Sequence, residues 1–342
     1  MSGYSQLNTV SFSEFVSLTR TIFKKGGSLI KDYENAKSLF KMVDIPKNTG
    51  NTRKFYEVDS EQFAKYKAEG ANSPKVKAIM GYTKTMTKRR MSAEIDITYE
   101  MRNENRAPEM VQKLTDLSKH CPNRMALDLT HTFSFCTATS YTDMDGETVD
   151  TTVGDTNALV DATHDLTGST TTYSNIITGN PRFAKGAFQV ARERARTQTL
   201  DNFGIPVVYD YNTVISSGDP TTVDEIQILK RSKTDPTQDN SGVVNTYSGT
   251  FRHVILERLD TTATGAYDST KSKYWGWAAI GAGSDTWMGY FGVWESSNLK
   301  TPKTANNGED IHTDDWIFGA RCGYGIVAVS GRGIVWSTGL GA

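Results

Sequence analysis

Four residues have the chemistry to hold a metal ion: His120, Cys121, His131 and Cys136. On one straight helix His120 and His131 would share a face, and Cys121 and Cys136 nearly another. Zinc sites prefer ligand pairs close in sequence with a turn between them. The thiols therefore read as core groups and the imidazoles as surface groups. Asp143-Met144-Asp145-Gly146-Glu147 resembles part of a calcium loop, but the first and closing ligand positions would fall on Tyr141 and Thr152. Neither matches what such a loop needs there, so the run reads as a solvated turn. Gly323-Tyr324-Gly325-Ile326-Val327-Ala328 fits the loose dinucleotide pattern. No βαβ unit of about 30 residues follows it, so the glycines read as tight turns between strands. His164, His253 and His312 are scattered, and no nucleophile motif accompanies them. The basic run Lys88-Arg89-Arg90 reads as a solvated face, with contact to an acidic partner as the sharper alternative. The expectation is a protein that is not an enzyme, with no metal or cofactor.

The bulk composition agrees. The chain has 342 residues, 37% hydrophobic and 23% charged, enough for one large domain or two ordinary ones. A formal net charge of −1 argues against an electrostatic nucleic-acid binder. Three cysteines make no disulfide framework and suit a reducing compartment. No apolar run approaches the ~20 residues that span a bilayer, and the first residues do not read as a secretory signal. A cytoplasmic place of assembly and no membrane partner are expected.

The elements that would carry these residues follow from periodicity. Residues 1–49 read as two short helices. Ser11 and Glu14 form a capping box for a face of Phe12, Phe15, Val16, Ile22 and Phe23. Leu29, Tyr33, Ala36, Phe40 and Val43 give the second face, closed by Pro46. Both are short for independent stability and need a platform. Residues 50–90 read as a projecting two-stranded ribbon, with a helical stub from Ser60 to Gly70. From Met91 to Met101 apolar and polar residues alternate without a slip, predicting a strand of about 35 Å at ~3.3 Å per residue. From Pro108 the period changes: Met110, Leu114, Leu117, Cys121, Met125, Leu129 and Phe133 mark a long amphipathic helix. Pro122 should kink or divide it. Residues 137–179 read as loops and strands. Asn180-Pro181 opens another helix, faced by Ala184, Ala187, Phe188, Ala191 and Ala195. Strands are expected at IPVVYDY, VDEIQILK, FRHVILERL, YWGWAAIG and FGARCGYGIVAVSGRGIVWS. The class is α+β with segregated elements and no internal repeat.

This order of parts resembles the HK97-fold major capsid proteins of tailed bacteriophages. Three stretches carry the resemblance. Ala68-Glu69-Gly70 through Pro74-Lys75 looks like the turn of their extended E-loop. EIQILKRS, the turn Asn245-Thr-Tyr247-Ser-Gly249, HVILERLD and YWGWAAI are similar to their late A-domain. TDDWIFGARCGYGIVAVSGRGIVWSTG looks like their C-terminal end. The resemblance implies an N-terminal arm at 1–49 and an E-loop at 50–90. A P-domain with the spine helix then covers 91–179, an A-domain 180–315, and returning C-terminal strands 316–342. It implies hexamers and pentamers of the same chain, closing into an icosahedral or prolate shell around packaged double-stranded DNA. The DNA would be contacted non-specifically. Portal and decoration proteins and a separate scaffolding protein are the implied partners, and the virion, assembled in the host cytoplasm, the implied location. Arg89, Arg90, Ile95, Ile97, Phe12 and Phe15 are the expected contacts between subunits. The alternatives are an encapsulin-like nanocompartment shell, a tail or decoration protein, and an unrelated α+β enzyme.

Overall fold

Strict alternation makes a strand only while hydrogen bonds continue on its edge, and here they stop early. In this computed structural model β4 covers Arg89–Ile97; Thr98 then caps a one-turn helix, α3 (Tyr99–Asn103), through its side-chain oxygen. Tyr99 and Met101, expected on the strand, are therefore helical. The strand does not outreach its core: β4 pairs along its whole length with β11 (Trp316–Ala328), and its apolar face lies on the chain's own long helix. The structure describes residues 12–27, 31–46, 50–104, 106–234, 243–281, 288–301 and 315–341, with the side chains of 12–15 and 25–27 excepted.

That helix, α4 (Ala107–Ser134), runs 28 residues, about 42 Å at ~1.5 Å per residue. Its seven predicted apolar positions are all buried. Pro122 sits inside it without dividing it. The helix lies on a four-stranded sheet of order β1-β10-β11-β4, where β1 is Lys41–Met42 and β10 is Gly289–Lys300. β10, a partner of β11 along most of its length, was not foreseen. Only half of its positions are apolar enough to draw notice. It also shows that part of 180–315 belongs to the spine-helix sheet. Gly323 and Gly325 lie within β11 rather than in turns. A Cβ on Gly323 would come within 2.3 Å of the Trp294 ring, and one on Gly325 within 2.8 Å of Met86.

The N-terminal helices find their platform at home. Both α1 (Phe12–Gly27) and α2 (Lys31–Lys37) pack on α4, burying Val16, Phe23, Ala36, Leu39 and Phe40. Asp32 pairs with Arg258 at 2.9 Å, fastening α2 to the second half of the chain. Ser11 lies outside the described residues.

The second sheet has order β12-β9-β7-β8: Ile334–Ser337, Trp275–Ala278, Thr213–Ser217 and Arg252–Leu256. Helix α5 (Lys185–Gln198) covers it, burying Phe188, Ala191 and Ala195. It begins four residues after Pro181, with Ala184 in the capping position. Asn180 instead adopts a left-handed φ of 48°. VDEIQILK is helical, not a strand, within α6 (Pro220–Arg231). The Asp219 carboxylate accepts the Thr222 N–H at 3.0 Å, Pro220 opens the first turn, and Thr222, Ile226 and Leu229 face inward. IPVVYDY precedes β7 without joining a strand. Trp336 of β12 ties the two sheets together: it is fully buried and stacks on Phe133 of α4 at 5.9 Å. A small hairpin, β5 (Ser140–Thr142) with β6 (Thr148–Asp150), lies beyond the end of α4.

Candidate assembly surfaces

Among the described residues, the ribbon is the part least able to bury its own apolar groups. β2 (Thr52–Ser60) and β3 (Ala78–Thr87) pair antiparallel, as their alternation requires. At the root the pairing is supported. Phe55 stacks on Tyr290 at 4.4 Å with the Arg53 guanidinium 5.3 Å from its centroid, and Met86 is buried. Lys84 donates to Asp150 at 2.6 Å. Outward of Phe55 the support thins. Tyr56, Val58, Val76 and Met80 are exposed; Phe63 is 66% exposed and Tyr66 entirely so. Residues 62–77 are exposed throughout and form no helix; the stub expected from Ser60 is absent, and Ser60 ends β2 instead. Gly70 turns this segment back with φ 75°. Lys65 and Lys67 flank Tyr66 in the chain, and Lys75 and Lys77 lie on the returning arm. Lys65 and the Lys77 N–H hold the Glu61 carboxyl below the usual range.

No family model and no curated protein matches the chain. Several solved structures are similar to it. One from Mycobacterium phage Bobi has 13% identity and a TM-score of 0.49, over 88% of this chain and 89% of that one. One from Microbacterium phage Oxtober96 has 10% identity and a TM-score of 0.47, over 88% and 90%. The capsid structure of the cyanophage P-SCSP1u has 12% identity and a TM-score of 0.47, over 87% and 86%.

The six expected contact residues divide. Ile97 has no exposed surface and belongs to the core of the single chain. Ile95 is half-buried against the same core. Alternation alone predicts a projecting strand that displays both, whereas β11 and α4 cover it. Arg89 is half-buried, 3.5 Å from Asp143. Arg90 is the exposed one, 4.9 Å from the Trp294 ring centroid and 3.7 Å from Glu295. Phe12 and Phe15 lie in the first turn of α1, their side chains outside the described residues.

The candidate metal ligands do not converge. His120 is exposed, with Nδ1 2.6 Å from the Asp116 carbonyl. His131 is buried, its Nε2 3.1 Å from the Thr261 hydroxyl. Cys121 is buried beside Cys322, and burial pushes the Cys136 thiol far up. No metal-holding group of three such residues exists among the described residues. In the Asp143 turn the cation is Arg124, which donates to Asp143 at 3.0 Å, Asp128 at 3.0 Å and Asp145 at 2.8 Å. Asp143 also accepts the N–H groups of Asp145 and Glu147. His312 lies outside the described residues. Sequence reasoning passed over the exposed Phe63 and Tyr66; two aromatics in a lysine-rich stretch were the available signal. It also passed over Arg332, a buried cation signalled only by its two flanking glycines.

Proposed function

We propose that this chain is the major capsid protein of a tailed bacteriophage, built on an HK97-like plan, whose copies close into a shell around double-stranded DNA. One observation carries the reading: the outer ribbon displays Tyr56, Val58, Phe63, Tyr66, Val76 and Met80 to solvent. Exposed apolar groups concentrated in one extended element mark an interaction surface. A two-stranded ribbon is marginal in water by itself. A neighbouring copy laid under it would bury these groups, and repetition of one such contact around closed symmetry makes rings and then a shell. The role is structural rather than catalytic, and no cofactor is required. In this reading hexamers and pentamers form in the bacterial cytoplasm with a separate scaffolding protein. Portal and decoration proteins join the same shell, which becomes part of the virion. A near-neutral chain suits a wall that touches DNA non-specifically, with small cations neutralising the packaged phosphates.

The test is expression alone and beside its neighbouring genes, followed by size exclusion and electron microscopy. Closed shells hundreds of ångströms across, holding DNA when packaging genes are present, are expected. Shells filled with an enzyme cargo would move the reading to a nanocompartment. A monomer that never assembles under either regime would overturn it.

A further inference from the structure

The pairing of the ribbon slips at one place, and a buried cation sits beside the slip. Tyr56 pairs with Thr83 and Val58 with Met80, so Glu57 alone faces both Gly81 and Tyr82. An extra residue of this kind kinks a strand and re-aims its side chains. Glu57, on the opposite strand, shares the body-facing side with Phe55 and Asp59 by alternation, and Arg332 lies there in the connection between β11 and β12. The Arg332 side chain is 3% exposed. Its Nη1 donates to Glu57 Oε1 at 2.8 Å and to Asp59 Oδ2 at 2.8 Å, and its Nη2 to Asn202 Oδ1 at 3.1 Å. The Asn202 N–H donates to the same Asp59 oxygen at 2.9 Å. Glycine makes the approach possible: a Cβ on Gly81 would lie 2.7 Å from Asn202 Nδ2 and 2.8 Å from Glu57 Oε2. Farther out, Gln62 ties the ribbon to the body, donating to Asp201 at 2.8 Å and to the Pro206 carbonyl at 3.4 Å.

We propose that Arg332, Glu57, Asp59 and Asn202 form a latch that sets the angle at which the outer ribbon leaves the body. One buried cation against two half-buried carboxylates cannot be released by halves: removing it leaves two partly desolvated negative charges facing each other. Burial already drives the Glu57 carboxyl upward, and Arg332 opposes that drive. The latch thus holds the ribbon by charge rather than by apolar packing, which the outer ribbon lacks. Its bearing on assembly rests on the shell reading, because the angle decides where the tip would meet a neighbouring copy. The latch itself is a property of the single chain.

Hydrogen–deuterium exchange on the full, unassembled chain tests it, comparing wild type with Arg332→Met and with the double variant Glu57→Gln, Asp59→Asn. Amides of 55–60 and 78–83 are expected to exchange at least tenfold faster in both, while amides of α4 stay within about twofold. Should Arg332→Met not fold, the double variant, which keeps the arginine, carries the comparison. Unchanged ribbon exchange overturns the latch. A parallel rise in α4 also overturns it, since the network would then stabilise the whole fold and not the ribbon. Failure of the wild type to form shells would sink the capsid reading and leave the exchange result standing.

Discussion

Ile97 and Phe63 are both large and apolar, and their fates separate the two kinds of work a residue does here. Ile97 is enclosed by β11 and α4. An aspartate there would be a buried charge without a partner, which costs several kcal/mol or forces neutralisation. Ile97→Asp is therefore expected to destabilise the single chain by more than about 3 kcal/mol, read as a lowered denaturant midpoint. Stability within about 1 kcal/mol of wild type would show that the site opens to water. Phe63 is exposed, so Phe63→Ser with Tyr66→Ser should leave chain stability within about 0.5 kcal/mol. Shell yield, counted by electron microscopy, should fall steeply. Undiminished yield would mean that the ribbon tip takes no part in assembly.

At the scale of elements, legibility followed the strength and purity of period. The spine helix was readable because seven apolar residues recur at three- and four-residue steps, and every one is buried. The ribbon was readable from two alternating arms with little apolar mass between them. Helix α6 was misread because Ile226, Ile228 and Leu229 suggested a buried strand; Ile228 is in fact exposed, and Thr222, Ile226 and Leu229 keep helical spacing behind Asp219 and Pro220. Asp219→Ala should cost about 1 kcal/mol by removing the Thr222 cap, measurable in thermal unfolding. No change would mean that the first turn is held by its packing alone. What periodicity could not supply was the partner of each apolar face. The N-terminal helices demanded a platform, and pattern alone does not say whether that platform is a neighbour or α4. The candidate assembly surface was half legible for the same reason: projection was visible, but the ion network that roots the ribbon comes from residues far apart in the chain.

For the molecule as a whole, one buried imidazole and one half-buried one make acid a stress. His131 and His253 are both held down to about 4, chiefly by burial, with Lys271 adding at His131 and Lys230 at His253. His253 is well suited to neutrality: its Nδ1 lies 2.8 Å from Gln227 Nε2 and its Nε2 2.8 Å from the Ser216 hydroxyl. In the unfolded chain a histidine titrates near ~6.5. Between these values the unfolded chain binds protons that the folded chain refuses, so stability must fall as pH drops from about 6.5 to 4. Below the folded value both states are charged and the loss levels off. Carboxyls that burial drives upward, such as Asp128 and Glu57, act in the opposite sense, so the curve of the whole chain is a sum. A difference curve isolates one member. Stability of wild type minus that of His253→Gln should rise with pH by about 1 kcal/mol per unit across the middle of that window, and be flat above pH 7. A flat difference throughout would mean that His253 reaches solvent in the folded chain and takes up its proton there.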